Sequence, residues 1–246
     1  MVKSEEGKSR PGRRPAGGPV VTRDRIVTAA SRLFRQNGYD RTSIAAIAEE
    51  VGVTAPALYW HFSSKAEILF EFLRSTLFSF TQDVQRDLVG VHEPVDRLRA
   101  FVESHTRAQL QQYDLSVVYG ELIYSAAQLT RSLEEDQLQE LVSLQRYHLD
   151  VCRGIIRDGV DAGQFEVQDD TAAAFAVINI CEYVTNWFNP SGRLSVDEVA
   201  RLHGDFAVRM VMAGPAAPPG DARPSRTSTS PSRRGSPTRV PQPTEG

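Results

Sequence analysis

Apolar side chains recur every three or four positions along most of the chain, the spacing that places them on one face of an α-helix. No segment shows the sustained alternation of apolar and polar residues that is typical of a β-strand. The sequence therefore predicts an all-α fold. Glycines, prolines and capping residues divide the pattern into predicted helices over approximately 22–37, 44–51, 55–62, 64–89, 94–112, 114–123, 132–162, 169–188 and 195–213. The predicted caps in the second half of the chain include Asp114 and two capping boxes, Ser132 with Glu135 and Ser195 with Glu198.

The second and third of these helices are short and lie close together. Ser43 and Thr54 are predicted N-caps, and Gly52 ends the second helix, where glycine best tolerates a left-handed backbone. This layout is that of a helix-turn-helix, which places one helix in the DNA major groove. The outward positions of that helix are Thr54, Ala55, Pro56, Tyr59, Trp60 and His61.

The start of the next helix carries a charge of unexpected sign. Ser64 and Glu67 have the spacing of a capping box. Lys65, in the same first turn, opposes the helix dipole, which favours acidic side chains there. A DNA phosphate beside Lys65 would explain the cation, and so would an ordinary solvated lysine.

Over residues 22–70 the chain resembles the N-terminal domain of TetR-family transcriptional regulators. The resemblance is carried by Gly38-Tyr39, Thr42-Ser43, Ile47-Ala48, Gly52-Val53-Thr54, Leu58-Tyr59, His61-Phe62 and Lys65. It implies an all-helical homodimer, with a helix-turn-helix domain over 22–70 and a larger ligand-binding and dimerisation domain over 71–214.

The same resemblance assigns DNA contacts by position. It gives phosphate or groove contacts to Thr42, Ser43, Thr54, Tyr59, His61 and Lys65, and the positions nearest the base edges to Ala55, Pro56 and Trp60. Trp60 departs from the polar residue usual in the family. Its indole can stack on a sugar or meet a thymine methyl, which leaves hydrogen-bonded base reading there in doubt.

Charge is distributed in a way that suits contact with DNA through one end. Residues 1–21 carry five basic and two acidic side chains, whereas residues 73–213 carry twelve basic and twenty-one acidic. DNA would therefore attract the N-terminal part and repel the body.

Both ends of the chain have the composition of disordered segments. In the basic arm over 1–21, Arg10, Arg13 and Arg14 resemble the minor-groove arms of some DNA-binding domains. Loose phosphate contact and a solvated tail are the alternatives. Residues 215–246 are rich in Pro, Ser, Thr, Arg and Gly and are predicted to be a disordered tail.

The last two predicted helices have more apolar surface than one pair of helices can cover. Residues 172–181 are apolar almost all round, and the final helix has an apolar stripe that includes Leu202, Phe206 and Met210. The sequence predicts a homodimer through these two helices, in a four-helix bundle. The alternative is that both complete the monomer core.

The resemblance implies a ligand cavity among the middle helices. Apolar or aromatic residues with polar neighbours fit such a cavity: they are Phe101, His105, Tyr119, Glu121, Tyr124, Tyr147, Asn179, Tyr183 and Trp187. Any one of them fits ordinary core equally well, and an interface hydrogen bond would satisfy Asn179. The stretch 163–200 is similar to a TetR subgroup of actinobacterial repressors of lipid catabolism that respond to acyl-CoA thioesters, which implies an acyl-CoA effector.

Signs of catalytic chemistry, cofactors and membrane insertion are missing from the sequence. It contains no GxSxG, HExxH, P-loop or dinucleotide motif, no long apolar run and no apolar N-terminal segment. His148 and Cys152 have the spacing of a metal pair but are better explained by packing, and Cys152 and Cys181 by buried free thiols.

The sequence therefore predicts a cytoplasmic, ligand-responsive repressor that binds two-fold symmetric operator DNA as a dimer and is released by a small apolar effector. A transcriptional activator, or a sensor of drugs or other small molecules, is the alternative. An enzyme and an architectural DNA-binding protein fit less well.

Overall fold

The computed structural model describes residues 22–212, which fold into ten α-helices and one short 3-10 segment. Within that range the only β-type pairing is an isolated bridge between Phe165 and Met212, so the all-α prediction is confirmed. The helices are α1 (Arg23–Asn37), α2 (Ile44–Val51), α3 (Ala55–Tyr59), α4 (Lys65–Leu88), α5 (Pro94–Gln111), α6 (Tyr113–Ile123), α7 (Ala126–Ser132), α8 (Glu135–Asp161), α9 (Asp170–Glu182) and α10 (Val196–Val211). The 3-10 segment Tyr183–Asn186 follows α9 directly.

Predicted capping residues begin several of these helices. The side-chain oxygens of Ser43, Thr54 and Ser64 each accept a hydrogen bond from a main-chain N–H of the first turn. At α10, Ser195 and Glu198 form the predicted reciprocal capping box. Gly52 ends α2 with a φ of 82°, the left-handed conformation that its position in the motif requires.

Four predictions about helix boundaries were wrong. Helix α7 was not predicted, because its seven residues are too few for a period to emerge. Helix α6 is preceded by Gln112 rather than capped by Asp114, and α9 gives way to the 3-10 segment after Glu182. The capping box of α8 is formed by Glu134 and Gln137 rather than by Ser132 and Glu135, because the intervening α7 extends to Ser132.

One hydrophobic core joins the helix-turn-helix to the rest of the protein. It contains Phe34 of α1, Ile47 of α2 and Leu69 of α4, and continues into Val118 and Leu122 of α6. Helices α1 and α6 therefore belong to the same hydrophobic core.

A second core lies among α4, α5, α8, α9 and α10. Helix α10 lies so close to α5 that a Cβ atom added at Gly204 would lie 3.1 Å from side-chain carbons of Arg99 and Glu103. Within residues 22–212, no helix is long and apolar enough to cross a membrane.

Candidate DNA-binding surface and effector cavity

Helix α3 presents an exposed aromatic surface. Trp60 is 89% exposed and Tyr59 is 54% exposed, beside exposed Thr54 and Pro56. Opposite them, Leu58 is fully buried and fixes the helix to the core. Two large aromatic side chains held outward on a rigid helix form a surface suited to docking against another molecule.

A contact network that the sequence did not predict holds α3 in place. Arg23 of α1 donates to the main-chain oxygen of His61, directly after α3, and to the carboxylate of Glu67 at 3.1 Å. Its guanidinium lies 3.9 Å from the ring centroid of Phe62. One half of the predicted capping box is present, because Ser64 Oγ accepts from the main-chain N–H of Glu67 at 3.0 Å. The other half differs, because the Glu67 carboxylate accepts from the main-chain N–H of Ser63, at 2.7 Å, rather than from that of Ser64.

Thr42 and Lys65, two of the predicted DNA contacts, make hydrogen bonds within the protein. The side chain of Thr42 is buried, and its hydroxyl donates to the main-chain oxygens of Leu33 and Gly38 at 3.2 and 2.8 Å. The amino group of Lys65 donates to the main-chain oxygens of Tyr39 and Thr42, each at 2.8 Å. These hydrogen bonds hold the turn before α2, and the phosphate contacts of Thr42 and Lys65 stay predictions.

The other predicted DNA-binding residues differ in how exposed they are. Ser43, Thr54, Pro56, Tyr59 and Trp60 are exposed, and Ala55 and His61 are partly buried next to them. Their DNA contacts stay predictions. Arg10, Arg13 and Arg14 lie outside the described residues.

A cavity of about 330 Å³ lies among α4, α5, α6, α8 and α9. Its apolar wall includes Leu77, Phe80, Leu149, Phe175 and Ile178. The polar groups that line it include Asp83, Gln109, Gln145, Arg146, Asn179 and Glu182. An apolar volume with a few polar groups is the composition of a small-molecule site.

Some of the predicted ligand residues line a cavity and others do not. Tyr119, Tyr124 and Asn179 line this cavity, whereas Tyr183 and Glu121 line a neighbouring one. Phe101 is fully buried core, and Trp187 packs beside His203 with ring centroids 5.7 Å apart. Tyr147 accepts a hydrogen bond from Gln85. Four of the predicted ligand residues line neither cavity, and their contact with a ligand stays a prediction: Phe101, His105, Tyr147 and Trp187.

Sequence reasoning missed several lining residues. Leu77 and Phe80 lie in the predicted helix over 64–89 and were not identified as ligand residues, although both line the cavity. Glu182 and Arg146 were not singled out, because an isolated charged residue in a helix usually faces solvent. Asn179 within an apolar run was the one signal in α9 that pointed to the site.

Two buried histidines, His148 and His105, lie at the edge of the cavity. His148 lines the cavity, and its Nε2 atom lies 3.2 Å from Nδ1 of His105, which is fully buried. Burial lowers the pKa of His148 to about 4, and burial together with His148 lowers the pKa of His105 well below its ordinary value. Both rings are neutral at pH 7. In the hydrogen bond between them, the nitrogen of one ring donates its proton and the facing nitrogen of the other ring accepts it.

The two residues with the spacing of a metal pair, His148 and Cys152, are both buried. Cys152 is fully buried, and burial raises the pKa of its thiol, which keeps the sulfur protonated. The second free cysteine, Cys181, is also buried, and its thiol donates to the main-chain oxygen of Val177 at 3.3 Å. Among the described residues, no cluster of three or more His, Cys, Asp or Glu side chains could hold a metal ion.

Helix α6 connects the cavity to the helix-turn-helix. Its residues Ser116 and Tyr119 line the cavity. At its start, Asp114 forms an ion pair with Arg35 of α1. A ligand in the cavity would therefore touch the helix that contacts the DNA-binding part of the chain.

Exposed apolar residues lie along α9 and α10. Leu202, Phe206 and Met210 are spaced four residues apart on one side of α10, and Phe206 is 49% exposed. Phe175 and Tyr183 are exposed on α9 and the segment that follows it. The predicted spare surface is thus present in the monomer, and the dimer itself stays a prediction.

Two family models match nearly the whole described range. Residues 26–72 match the bacterial regulatory proteins of the tetR family, and residues 91–211 match the tetracyclin repressor-like C-terminal domain. The chain is also 32% identical to PfmR from Thermus thermophilus, a TetR-family transcriptional regulator of known structure, covering 76% of this chain and 98% of that one with a TM-score of 0.66. The chain belongs to the TetR family of transcriptional regulators.

Other similar proteins include the transcriptional repressor KstR2 of Rhodococcus jostii, 26% identical over 210 residues, which are 80% of this chain and 92% of the relative. The fold is also that of AibR, crystallised with isovaleryl coenzyme A and operator DNA. That chain is 22% identical, with 77% of this chain and 97% of that one covered and a TM-score of 0.65. These names are those of transcriptional regulators, not of enzymes.

Proposed function

We propose that this TetR-family regulator is a repressor that binds two-fold symmetric operator DNA as a dimer and leaves it when an apolar effector enters the cavity. The observation that carries the proposal is the position of α6, which lines the cavity through Tyr119 and contacts α1 through Asp114 and Arg35. DNA binding is assigned to residues 22–70, and ligand binding and dimerisation to residues 71–214.

In this account α3 is the recognition helix. Tyr59 and Trp60 face the DNA, with Tyr59 donating to a phosphate and Trp60 making apolar contact with a base or sugar. Thr54, Pro56 and Ser43 are exposed beside them. Lys65 and Arg23 act indirectly, by holding the segments on either side of α3.

The dimer brings two recognition helices to one face of the DNA. The exposed stripe of Leu202, Phe206 and Met210 on α10 packs with α9 against the same helices of a second copy. A compact operator then has half-sites roughly 34–36 Å apart. The acidic body, with net charge far below that of the helix-turn-helix, stays away from the phosphates.

The effector class best supported is an acyl-CoA thioester. The acyl chain would lie against Phe80, Leu149 and Ile178, and Asn179 would donate to the thioester oxygen. Arg146, which is basic and lines the same cavity, would meet the phosphates. The isovaleryl coenzyme A complex of AibR, which shares the fold, supports this class.

Release follows from preferential binding to one conformation. An effector that binds more tightly when α6 is displaced shifts the dimer toward that state, by no more than its difference in affinity for the two states. Because α6 and α1 share a core and an ion pair, the displacement changes the separation of the two recognition helices.

Fluorescence anisotropy on labelled DNA from the region upstream of the coding sequence tests the DNA-binding surface. Tyr59→Phe removes only a hydroxyl from an exposed ring, so operator affinity should fall about three- to tenfold, the loss of one modest hydrogen bond. Tyr147→Phe is the matched control, because Tyr147 is 46% exposed on α8 and lines neither cavity. Equal loss in both variants, or none in Tyr59→Phe, would remove the assigned contact.

A further inference from the structure

Helix α3, the recognition helix of the proposed function, has few contacts of its own to fix it. It has five residues, Ala55–Tyr59, and Leu58 is the one buried side chain among them. A single helical turn has little stability in isolation. The orientation of α3 therefore depends on the contacts at its two ends, where Thr54 caps the start and Arg23 of α1 lies at the end.

The guanidinium of Arg23 makes three contacts at the end of α3. Its Nη1 atom donates to the main-chain oxygen of His61, and its Nη2 atom donates to Oε1 of Glu67 at 3.1 Å. The same group lies 3.9 Å from the ring centroid of Phe62, a residue that is 1% exposed. The last carbonyl groups of a helix have no partner within the helix, and a cation beside them is favoured. Arg23 thus closes the end of α3 through the main chain and the core together.

Glu67 completes this arrangement from the first turn of α4. Its Oε2 atom accepts from the main-chain N–H and from the hydroxyl of Ser63, at 2.7 and 2.8 Å. Burial raises the pKa of the Glu67 carboxyl, but the hydrogen bonds from Ser63 and the charge of Arg23 outweigh burial, so the pKa is lowered. The ionised carboxylate therefore joins three segments, which are the start of α1, the turn after α3 and the start of α4.

Sequence position alone predicts other roles for these two charges. Arg23 is the first residue of α1, directly after the basic segment 1–21, where a phosphate contact is the ordinary expectation. Glu67 is an acid close to a DNA-binding helix, where repulsion from phosphates would lower affinity. The ion pair changes both expectations, because each charge has its partner within the protein.

We propose that Arg23 and Glu67 act as one positioning unit that sets the orientation of α3 for operator reading, and that the acidic Glu67 is required for tight operator binding. This rests on the proposed function, in which α3 is the recognition helix. The shape of the guanidinium matters as well as its charge. A planar fork can donate to a carbonyl and a carboxylate while it stacks on a ring, and a lysine ammonium cannot.

The test compares a duplex that the native protein selects from a random pool with a scrambled duplex of equal length, by fluorescence anisotropy. Arg23→Lys keeps the charge and should lower operator affinity about tenfold, while affinity for the scrambled duplex stays within about twofold of native. Glu67→Gln removes a negative charge and should still lower operator affinity about five- to tenfold. The double variant should lose no more than about threefold beyond either single variant, because both changes break the same unit.

The salt dependence of operator binding distinguishes positioning from a phosphate contact at Arg23. Arg23→Gln should leave the slope of log affinity against log salt unchanged, whereas loss of one phosphate contact would reduce the slope by about one. Arg74 and Glu71 provide the matched control, since they form an ion pair within α4 at 2.8 Å with similar exposure. Arg74→Lys and Glu71→Gln should leave operator affinity unchanged. Urea melts establish that every variant is folded under the assay conditions.

Three results would each overturn the proposal: native operator affinity in Arg23→Lys, a slope reduced by about one in Arg23→Gln, or tighter operator binding by Glu67→Gln. Equal losses on the operator and the scrambled duplex would overturn it as well, because a positioning unit changes specificity. If the native protein selects no duplex, the DNA-binding part of the proposed function fails and this proposal fails with it. If it selects one and the variants bind like the native protein, this proposal alone fails.

Discussion

The Nζ atom of Lys65 lies 2.8 Å from the main-chain oxygen of Thr42 and donates a hydrogen bond to it. The same amino group also serves the main-chain oxygens of Tyr39 and Asp40 and lies 4.3 Å from the Tyr39 ring centroid. Lys65→Met keeps the aliphatic stem and removes the donor. We predict a loss of about 1–3 kcal/mol in the free energy of unfolding, measured by urea denaturation, because partly buried oxygens lose a charged partner.

Comparison with Tyr59→Phe distinguishes a structural role of Lys65 from a DNA contact. Tyr59→Phe should leave the urea midpoint unchanged, because the Tyr59 ring is exposed. If Lys65→Met is as stable as the native protein and loses only operator affinity, the internal role of Lys65 is wrong and the phosphate contact predicted from sequence is restored.

A second prediction concerns the end of α8. A Cβ atom added at Gly159 would lie 2.0 Å from the ring of Phe165, which is buried. Gly159→Ala should therefore lower the free energy of unfolding by about 1–3 kcal/mol despite the better helix propensity of alanine.

Gly154, one turn earlier in α8, is the matched control because nothing lies within 4 Å of an added Cβ atom. Gly154→Ala should raise stability by up to about 1 kcal/mol, the ordinary preference of a helix for alanine. Thermal unfolding of Gly159→Ala, Gly154→Ala and the native protein measures the two changes in stability. Stabilisation by both would mean that the ring of Phe165 moves aside at no cost.

The buried histidine pair predicts sensitivity to acid. The pKa of His148 is lowered to about 4, so between pH 6.5 and 4 the unfolded chain takes up a proton that the folded chain refuses. The contribution of neutral His148 to the free energy of unfolding is complete well above pH 6.5. It is lost as pH falls, by about 1.5 kcal/mol between pH 6.5 and 5. His105 acts in the same direction.

His148→Gln isolates this contribution. Its free energy of unfolding, from urea melts at pH 6.5 and pH 5, should fall less between those two pH values than that of the native protein. Glu182, whose pKa is raised to about 7, works in the opposite direction, because the folded chain keeps a proton that the unfolded chain has lost. Its effect is present in both proteins and cancels in the difference. If the free energy of unfolding falls equally in the two proteins between pH 6.5 and pH 5, the lowered pKa of His148 is contradicted.

Dimerisation through α10 predicts that a charge on its exposed stripe separates the subunits. Phe206→Glu should give a monomer by light scattering and lose most operator affinity, because a buried unpaired carboxylate is costly at an interface. Phe78→Glu is the matched control: Phe78 on α4 is 50% exposed, as Phe206 is 49% exposed. A dimer that survives Phe206→Glu would place the interface elsewhere.

The fold was predictable where caps, glycines and helical period agree. Ser43, Gly52 and Thr54 mark the helix-turn-helix from sequence because each acts on the main chain next to it. Helix α7 was missed because seven residues show no period, and the 3-10 segment after Glu182 because its geometry depends on packing with α5 and α6.

The site was less predictable, because its residues meet through tertiary contacts. Arg23 and His61 are 38 positions apart in sequence, and nothing local indicates their contact. Tyr119 and Asn179 were identified by type, whereas Phe80, His148 and Glu182 join them only when α4, α8 and α9 are packed together. Thr42 and Lys65 were assigned outward roles from the family pattern, and their internal hydrogen bonds require the folded turn.

Release of the repressor from DNA by an effector can be followed by a mobility shift on the DNA upstream of the coding sequence, titrated with acyl-CoA thioesters of increasing chain length. The native protein should shift the DNA, and a thioester should release it. Arg146→Ala, which removes the basic group lining the apolar cavity, should still shift the DNA but need at least about tenfold more thioester for release. Binding that no thioester releases, or release unaffected by Arg146→Ala, would contradict the account.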